Sequence, residues 1–311
     1  MSSSKPRHIL SLTAEERRCF VDSFSHVYSD IDGVVWNVDV IIPQASAAFV
    51  ALERAGKAIT FVSNNSTRTA RAAVRQFAKT GLEISEDQVW HPARTLVYYL
   101  RSIQFEGPIY IIASPPFKQL VRDAGFQLID GPDGRIEDDF ESLVSRLFDV
   151  QPVRAVVFDM DLNLNAVKMQ RAYLYLRQPD CQLFTCATDH KLPFIKDITI
   201  LGPGHFSDIL VKSTGKQGQT VGKPSRILGD MLMQQHKIED PKRVLMIGDM
   251  LQQDIHFGHT CGFQTLLVLS GGCSLAQLEA ETSPAHMPDY YADSMADFLQ
   301  LLAETPAKAH F

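Results

Sequence analysis

The chain has 311 residues, is 45% apolar and carries a net charge of −6 at pH 7. This apolar content supports a packed core, and the acidic balance argues against a basic surface for nucleic acid or anionic membranes. Five scattered cysteines without a Cys-x-x-Cys pair argue against a disulfide framework or a zinc site, and no apolar run approaches the roughly 18 residues of a membrane span, so we expect a cytoplasmic protein.

The first predicted elements lead to a pair of carboxylates. Thr13 to Glu16 has the form of a capping box, which predicts a short helix. An apolar approach then predicts a buried strand that ends at Asp30-Ile31-Asp32-Gly33. Because alternate residues of a strand point to opposite faces, Asp30 and Asp32 can share a site only if the chain bends there, and Gly33 permits the bend. We interpret this stretch as the position of a nucleophile.

A strand and helix alternation follows, which is typical of a parallel sheet. The predicted elements are a helix over Pro43–Ala55, a strand over Lys57–Val62, and helices over Thr69–Lys79 and Ala93–Ser102. The strand stops at the polar turn Ser63-Asn64-Asn65. Open parallel sheets bind ligands at this edge, so the pattern predicts an α/β fold with a doubly wound, Rossmann-like parallel sheet core.

Residues 106–217 form a second, self-contained set of elements. Its predicted strands are Ile109–Ile112, Phe126–Ile129, Ala155–Phe158 and Leu183–Cys186, and its predicted helices are Phe117–Ala124, Phe140–Phe148, Ala166–Leu176 and Phe206–Lys212. The alternation predicts an inserted α/β domain of residues 106–217 within a core of residues 1–105 and 218–311.

The first sheet is predicted to resume after the insertion. Gly222-Lys223-Pro224-Ser225 opens a helix, and a strand over Arg243–Ile247 ends at Gly248-Asp249, with Asp254 shortly after. A strand over Thr265–Leu269 and a helix over Met295–Leu302 follow. The polar clusters therefore occur in the order acid pair, Ser/Asn turn, lysine and second acid pair, each at a strand end or a helix start. This order favours one shared site over unrelated surface features.

These clusters contain the groups that an attack on a phosphate monoester requires. A carboxylate such as Asp30 meets like charge at the phosphate, and the repulsion is roughly 4 kcal/mol per charge pair at about 4 Å in an effective dielectric near 20. Asp30 and Asp249, with the backbone carbonyl of Asp32, offer the hard oxygens that Mg²⁺ prefers. Lys223 supplies a second positive charge. The pattern predicts a Mg²⁺ site beside a carboxylate nucleophile.

The remaining polar groups fit the two steps of such a reaction. Ser63 Oγ and backbone N–H groups at Asn64 can donate hydrogen bonds to the phosphoryl oxygens. Asp32 can protonate the leaving oxygen and then activate the water that hydrolyses an aspartyl-phosphate. One alternative stays open, because a second predicted strand also ends in an Asp-x-Asp pair, Asp159 and Asp161.

At this point the motifs resemble those of the haloacid dehalogenase superfamily, and more narrowly those of its 4-nitrophenylphosphatase branch, which includes phosphoglycolate phosphatase and pyridoxal phosphate phosphatase. The resemblance rests on Asp30-x-Asp32-Gly33-Val34-x-Trp36, Val62-Ser63-Asn64-Asn65-Ser66-Thr67-Arg68, Gly222-Lys223-Pro224-Ser225 and Gly248-Asp249-x-Leu251-x-x-Asp254. The long spacing from Asn65 to Lys223 is similar to that branch's large cap domain, inserted between the second and third motifs.

The resemblance implies a role for each motif residue. Asp30 would be the nucleophile, Asp32 the acid/base and Lys223 the charge neutraliser. Ser63 and Asn64 would bind the phosphoryl group, Asp249 would be a Mg²⁺ ligand, and Asp254 would orient metal waters or Lys223. From the residues themselves we add Asn65 to the substrate-binding group, Asp189 and His190 as candidates in a cap loop, and Asp30, Asp32 and Asp254 to the residues of the metal site. The resemblance also implies a cap that closes over the substrate and a homodimer formed through the cap.

Some positions depart from the branch pattern. Met250 and Gln252 stand where the branch commonly has Arg and Asp, and the loop around Asp189, His190 and Lys191 diverges, which leaves the choice of substrate open. We expect a Mg²⁺-dependent phosphatase of small phosphate monoesters, of the phosphoglycolate or 4-nitrophenyl phosphate type. The alternatives are a pyridoxal phosphate phosphatase, a phosphotransferring mutase, and a catalytically idle paralogue that acts as a binding protein.

Overall fold

A computed structural model of the chain describes residues 5–38, 40–134, 137, 139–147, 151–195 and 198–304. The last residue of the helix predicted over Phe140–Phe148 lies outside these ranges. The chain divides into two compact units. The first comprises Met1–Ser63, Ala70–Trp90 and Lys223–Phe311, and the second comprises Asn64–Thr69 and His91–Gly222.

Parallel strands form the sheets of both units, and two short antiparallel hairpins supplement them. The strands in the described residues are β1 (Arg7–His8), β2 (His26–Ser29), β3 (Trp36–Asn37), β4 (Val40–Ile41), β5 (Ala58–Val62), β6 (Val89–Trp90), β7 (Ile109–Ile112), β8 (Leu128–Asp130), β9 (Ala155–Phe158), β10 (Gln182–Thr185), β11 (Lys191–Ile195), β12 (Ile198–Leu201), β13 (Gln219–Thr220), β14 (Val244–Gly248), β15 (Gln264–Val268) and β16 (Tyr290–Ala292).

Helices connect most of these strands. Those in the described residues are α1 (Ala14–Ser23), α2 (Ala45–Arg54), α3 (Ala70–Lys79), α4 (Pro92–Ser102), α5 (Pro115–Asp123), α6 (Phe140–Leu147), α7 (Ala166–Leu176), α8 (Pro203–Thr214), α9 (Arg226–His236), α10 (His256–Cys261), α11 (Leu275–Ala280) and α12 (Asp297–Ala303). None of them combines the length and the hydropathy that a membrane span requires.

The sheet of the first unit is parallel throughout and confirms the predicted α/β core. Within the described residues it has seven strands, in the order β1-β16-β15-β14-β2-β5-β6. Ser29 of β2 lies opposite Ile247 of β14 on one side and Phe61 of β5 on the other. The carboxyl ends of these three central strands therefore meet at one edge of the sheet.

Packing on the two faces of this sheet explains its register. On one face, Phe61 packs edge to face with Phe49 of α2, at 5.0 Å between ring centroids, and packs at a tilt against Phe77 of α3, at 4.4 Å. On the other face, Tyr28 packs with Phe263 at 5.5 Å. Burial of each such ring contributes about 1.5–3 kcal/mol, and a one-residue slip of the central strands would exchange these faces.

The helix predicted after Thr13 forms with the predicted cap. Thr13 Oγ1 accepts a hydrogen bond from the Glu16 backbone N–H, and the Glu16 carboxylate accepts one from the Thr13 N–H at 2.8 Å. Helix α8 begins earlier than predicted, at Pro203 instead of Phe206, because proline fits the first turn of a helix, where no intrahelical N–H bond is required.

The second unit has its own parallel sheet, with strands in the order β13-β10-β9-β7-β8 in the described residues. Helix α4 belongs to this unit, whereas the sequence predicted the domain boundary near residue 106. Tyr99 of α4 explains the difference, because its hydroxyl donates to Gln219 at 2.8 Å and its ring lies 6.0 Å from that of Phe184. These contacts join α4 to β10 and β13, which lie far from it in the sequence.

Candidate functional site

The residues predicted to carry chemistry in the first unit lie at the carboxyl ends of neighbouring strands. Asp30 follows β2, Ser63 follows β5 and Asp249 follows β14. The Asp30 N–H donates to the Ile247 carbonyl at 2.8 Å, which extends the β2–β14 pairing to the carboxyl edge of the sheet. Ser63 N–H donates to the Trp90 carbonyl at 2.9 Å, which likewise extends the β5–β6 pairing.

Lys223 lies between two of the predicted carboxylates. Its Nζ is 3.0 Å from Asp30 Oδ1 and 2.7 Å from Asp254 Oδ1, and its side chain is 1% exposed. A buried ammonium requires such compensation, because isolated charges cost several kcal/mol in a low-dielectric interior. The structure thus brings the lysine of the third motif to the acids of the first and fourth motifs.

Asp254 belongs to a π-helical turn, Leu251–Ile255, that begins two residues after Asp249. Its Oδ2 accepts the backbone N–H groups of Asp249 at 3.1 Å and Met250 at 3.0 Å, while its Oδ1 faces Lys223. Both oxygens of Asp254 are therefore engaged. Because the backbone and not the side chain of Met250 makes this contact, the departure from arginine at this position leaves the arrangement intact.

Glycines close to Asp249 form a part of the site that the sequence reasoning missed. The Gly272 N–H donates to Asp249 Oδ2 at 2.6 Å. A Cβ atom at Gly33 would lie 2.0 Å from the same oxygen, and one at Gly271 would lie 2.1 Å from it. Only glycine fits at these positions, and Gly33 also has a φ of +81°. The available signal was the Ser270-Gly271-Gly272 turn shortly after β15, a further strand of the same sheet.

Asp32 lies one residue beyond the bend at Ile31. The indole N–H of Trp36 donates to Asp32 Oδ1 at 3.0 Å, and the Gly33 N–H donates to the Trp36 carbonyl at 2.7 Å. The bend that Gly33 was predicted to permit is present, and it separates Asp32 from the straight run of β2.

Burial perturbs the ionisation of the acids. Burial raises the pKa of Asp30 well above its usual range; Lys223 opposes this rise, and Asp254 and Asp249 add to it. Burial, followed by the charge of Asp254, raises the pKa of Asp249 to about 7. Burial lowers the pKa of Lys223, but the carboxylates of Asp254 and Asp30 outweigh that effect, so the pKa of Lys223 is raised overall. One lysine is thus surrounded by more negative charge than it can balance.

The donor set around Asp30, Asp249 and Asp254 fits a hard divalent cation. One carboxylate oxygen from each lies within 4.8 Å of the others. The Ile31 N–H donates to one oxygen of Asp30 and the Gly272 N–H to one oxygen of Asp249, which fixes the orientation of both carboxylates. Two carboxylate oxygens and a backbone carbonyl match the few protein ligands that Mg²⁺ takes.

The remaining predicted binding residues belong to the second unit. Asn64 Nδ2 donates to Asp189 Oδ2 at 2.9 Å. Asn65 Oδ1 accepts from the Thr67 hydroxyl at 2.7 Å, which is a local turn contact. His190 Nε2 lies 3.0 Å from Asp208 Oδ2, and its side chain is half exposed. The structure therefore joins Asn64 to the divergent loop, and substrate binding by this group stays a prediction.

The second Asp-x-Asp pair lies in the interior of the second unit. Asp159 is fully buried, and its carboxylate accepts hydrogen bonds from the Ser66 hydroxyl and from the Ala187 N–H, the latter at 3.1 Å. Asp161 pairs with Lys168 at 2.8 Å. Both acids are satisfied by neighbours that stabilise the unit, and Lys223 and Asp249 belong to the first unit. The choice of Asp30 and Asp32 as the functional pair stays a prediction.

The buried Asp159 leads to a prediction about stability and pH. Burial raises its pKa from 3.8 to about 6, so the folded chain holds this proton more tightly than the unfolded chain does. Stability from this group is present below pH 4 and is lost as the pH rises to about 6, with a change of about 3 kcal/mol. The free energy of unfolding of Asp159→Asn, minus that of the unmodified chain, should therefore rise by about 3 kcal/mol between pH 4 and pH 7.

Urea denaturation across this pH range measures the difference. Asp123→Asn makes the same change at an exposed carboxylate of the same unit and serves as the control. An Asp159→Asn difference that changes with pH no more than the control does would show that the Asp159 carboxyl group is not a source of pH-dependent stability.

Comparisons with known proteins agree with this geometry. A family model described as haloacid dehalogenase-like hydrolase matches residues 27–127, and a second, described as HAD-hydrolase-like, matches residues 220–298. These two ranges include every residue of the first-unit site described above.

Several known proteins are similar to this chain over most of its length. The chain is 32% identical to phosphoglycolate phosphatase 1A, chloroplastic, of Arabidopsis thaliana, over 98% of this chain and 84% of that protein. It is 30% identical to glycerol-3-phosphate phosphatase of Mus musculus, over 94% and 95%. Its structure resembles that of p-nitrophenyl phosphatase from Archaeoglobus fulgidus, with a TM-score of 0.75, 24% identity, and coverage of 90% and 100%.

Proposed function

The chain belongs to the haloacid dehalogenase-like hydrolases, and from this premise we propose that it is a Mg²⁺-dependent phosphatase of small phosphate monoesters. The observation that carries the proposal is the buried Lys223 between Asp30 and Asp254, with Asp249 held beside them. A nucleophilic carboxylate that attacks an anion needs this concentration of compensating charge. A purely structural cluster would not need more acids than its lysine can balance.

In the first step, Asp30 attacks the phosphorus atom of the substrate. Lys223 and the Ile31 N–H engage Asp30 Oδ1, so Oδ2 is the oxygen that forms the new bond. The bond from phosphorus to the ester oxygen breaks, and Asp32 gives its proton to the departing oxygen. Ser63 donates to a phosphoryl oxygen, where negative charge concentrates in the transition state. An alcohol leaves, and Asp30 carries the phosphoryl group.

In the second step, water releases the phosphoryl group from Asp30. Asp32, now a carboxylate, takes a proton from the attacking water, and the bond from phosphorus to Asp30 breaks. Inorganic phosphate leaves, and both carboxyl groups return to their starting states. A single residue, Asp32, therefore serves as acid and then as base.

The residues that would hold Mg²⁺ are Asp30 and Asp249, together with the Asp32 carbonyl. When bound, the ion would supply positive charge that reduces the repulsion between Asp30 and the phosphate. The proximity of the carboxylates supports this assignment, since one oxygen of Asp30 and one of Asp249 lie within 4.8 Å of each other. Asp254, whose two oxygens are engaged, would orient Lys223 and the loop that carries Asp249.

The substrate class follows from the relatives. Their names refer to phosphoglycolate, glycerol 3-phosphate and p-nitrophenyl phosphate, which are all small monoesters. In this proposal the second unit is a cap that selects among such substrates through Asn64, Asn65, Asp189 and His190. A homodimer formed through the cap and a cytoplasmic location complete the proposal, and five unpaired cysteines, all in the described residues, support a reducing compartment.

Phosphate release from a substrate panel tests the proposal. The panel contains 4-nitrophenyl phosphate, phosphoglycolate, glycerol phosphate, pyridoxal phosphate, nucleotides and phosphotyrosine. We expect turnover of at least one small monoester with Mg²⁺, a loss of about 100-fold or more on chelation, and recovery when Mg²⁺ is returned. The preferred substrate reports what the cap selects.

Two results would contradict the proposal. Folded protein that hydrolyses no member of the panel with Mg²⁺ present would favour an idle binding protein. Turnover that survives chelation unchanged would exclude the cation from the reaction and leave Lys223 as the main compensating charge.

A further inference from the structure

The indole of Trp36 lies beside the acid/base carboxylate of the proposed mechanism. Its Nε1–H donates to Asp32 Oδ1 at 3.0 Å, within the normal range for such a bond. We infer that Trp36 is a positioning residue, which holds the Asp32 carboxyl in the orientation that proton transfer requires. This inference rests on the proposed phosphatase function and adds to it a residue whose effect depends on the leaving group.

The indole of Trp36 is held in place by packing and by backbone pairing. The Trp36 side chain is 3% exposed, and its ring meets that of Phe77 edge to face, with 4.7 Å between centroids. Its backbone pairs with Ile41 in the β3–β4 hairpin, and its carbonyl accepts the Gly33 N–H. An indole fixed by packing and by backbone pairing loses little additional freedom when it binds a carboxylate.

The chemistry of the bond determines which oxygen of Asp32 reacts. The indole nitrogen donates and cannot accept, so Asp32 Oδ1 must remain an acceptor and the acidic proton is carried by Oδ2. Rotation of the carboxyl group would break the bond to Trp36. The same oxygen, Oδ2, is thus presented first as the acid and then as the base. A misplacement of about 1 Å in such a group can cost on the order of 100-fold in rate.

This role predicts a selective defect in Trp36→Phe, which retains an aromatic ring but lacks the donor. An alkoxide is a poor leaving group and needs the proton from Asp32, whereas 4-nitrophenolate leaves without one. We expect kcat/KM for glycerol phosphate to fall about 10- to 100-fold, with little change for 4-nitrophenyl phosphate. The parameter kcat/KM is the suitable readout because it covers the steps up to departure of the leaving group and excludes the hydrolysis of the aspartyl-phosphate.

Two further variants separate positioning from packing. Phe77→Leu weakens the packing around Trp36 but keeps its N–H, so any loss should be equal for the two substrates. The readout is the ratio of kcat/KM for glycerol phosphate to kcat/KM for 4-nitrophenyl phosphate. In an Asp32→Asn background, Trp36→Phe should cause no further change in this ratio, because the carboxyl group on which Trp36 acts is already gone. The ratio does not depend on the folded fraction of a preparation, so partial misfolding of Trp36→Phe leaves the test valid.

The outcomes distinguish the inference from the function on which it rests. Hydrolysis of both substrates by the unmodified chain, with the ratio unchanged in Trp36→Phe, would overturn the positioning role alone. Failure of the unmodified chain to hydrolyse any member of the substrate panel would overturn the proposed function and the role together. A fall in the ratio that disappears in the Asp32→Asn background supports both.

Discussion

Asp30→Asn is expected to reduce turnover of every substrate by at least about 10⁴-fold, the scale on which loss of a catalytic nucleophile acts. The substitution keeps the shape of the side chain and removes the attacking oxygen anion, so no aspartyl-phosphate can form. Phosphate release measured with the best substrate of the panel, in the presence of Mg²⁺, gives the size of the loss. Acid-quenched protein from the unmodified chain should carry a hydroxylamine-sensitive phosphoryl group that is absent from Asp30→Asn.

The second Asp-x-Asp pair provides the matched control. Asp159→Asn makes the same chemical change at the end of β9 in the second unit, where the carboxylate accepts from Ser66 and Ala187. We expect it to retain turnover. The reverse result, with activity lost in Asp159→Asn and kept in Asp30→Asn, would transfer the nucleophile to the second unit and refute the mechanism proposed above.

Lys223→Met is expected to have the second-largest effect. It removes the positive charge that lies 3.0 Å from Asp30 and 2.7 Å from Asp254 and leaves buried carboxylates without that partner. Turnover should fall by about 10²- to 10³-fold, the range seen when a preorganised electrostatic contact in a transition state is lost. The free energy of unfolding should also fall by about 3–5 kcal/mol, because a buried ion pair is broken on one side only.

A second buried lysine separates these two effects. Lys168 is 1% exposed, and its Nζ lies 2.8 Å from both Asp133 Oδ1 and Asp161 Oδ2 in the second unit. Lys168→Met should therefore lose stability, by a smaller amount because Asp133 is largely exposed, while it keeps turnover per folded molecule. Urea denaturation and steady-state kinetics on both variants make the comparison. Equal turnover in the two variants would assign Lys223 a structural role alone.

Some parts of the site could be predicted from the sequence because they depend on local pattern. Asp30, Ser63 and Asp249 each follow a short apolar run, and a buried parallel strand requires such a run whatever its neighbours are. The glycine after Asp32 likewise predicts a bend, and Gly33 has a φ of +81° in the structure. Motif order then predicted that these strand ends share one edge of a sheet.

Other parts were missed because the sequence signal was weak. The hairpins β3–β4 and β11–β12 and the strands β6 and β16 are only two to five residues long, too short for a clear alternation. Helix α11 is also short, at six residues, and begins at a capping box around Ser274 that was not recognised. The predicted limits of longer elements differed at their ends, where capping and proline decide the boundary.

The sequence by itself determined the type of fold, the residues proposed to carry the chemistry and the strand ends that hold them, since all of these follow from periodicity and residue type. Only the tertiary structure decided which atoms meet. In the structure Lys223 pairs with Asp254, the Gly272 N–H donates to Asp249, and the indole N–H of Trp36 donates to Asp32. Helix α4 belongs to the second unit. The physical reason is that these contacts join segments whose approach is set by the packing of whole elements, and no local pattern of side chains specifies it.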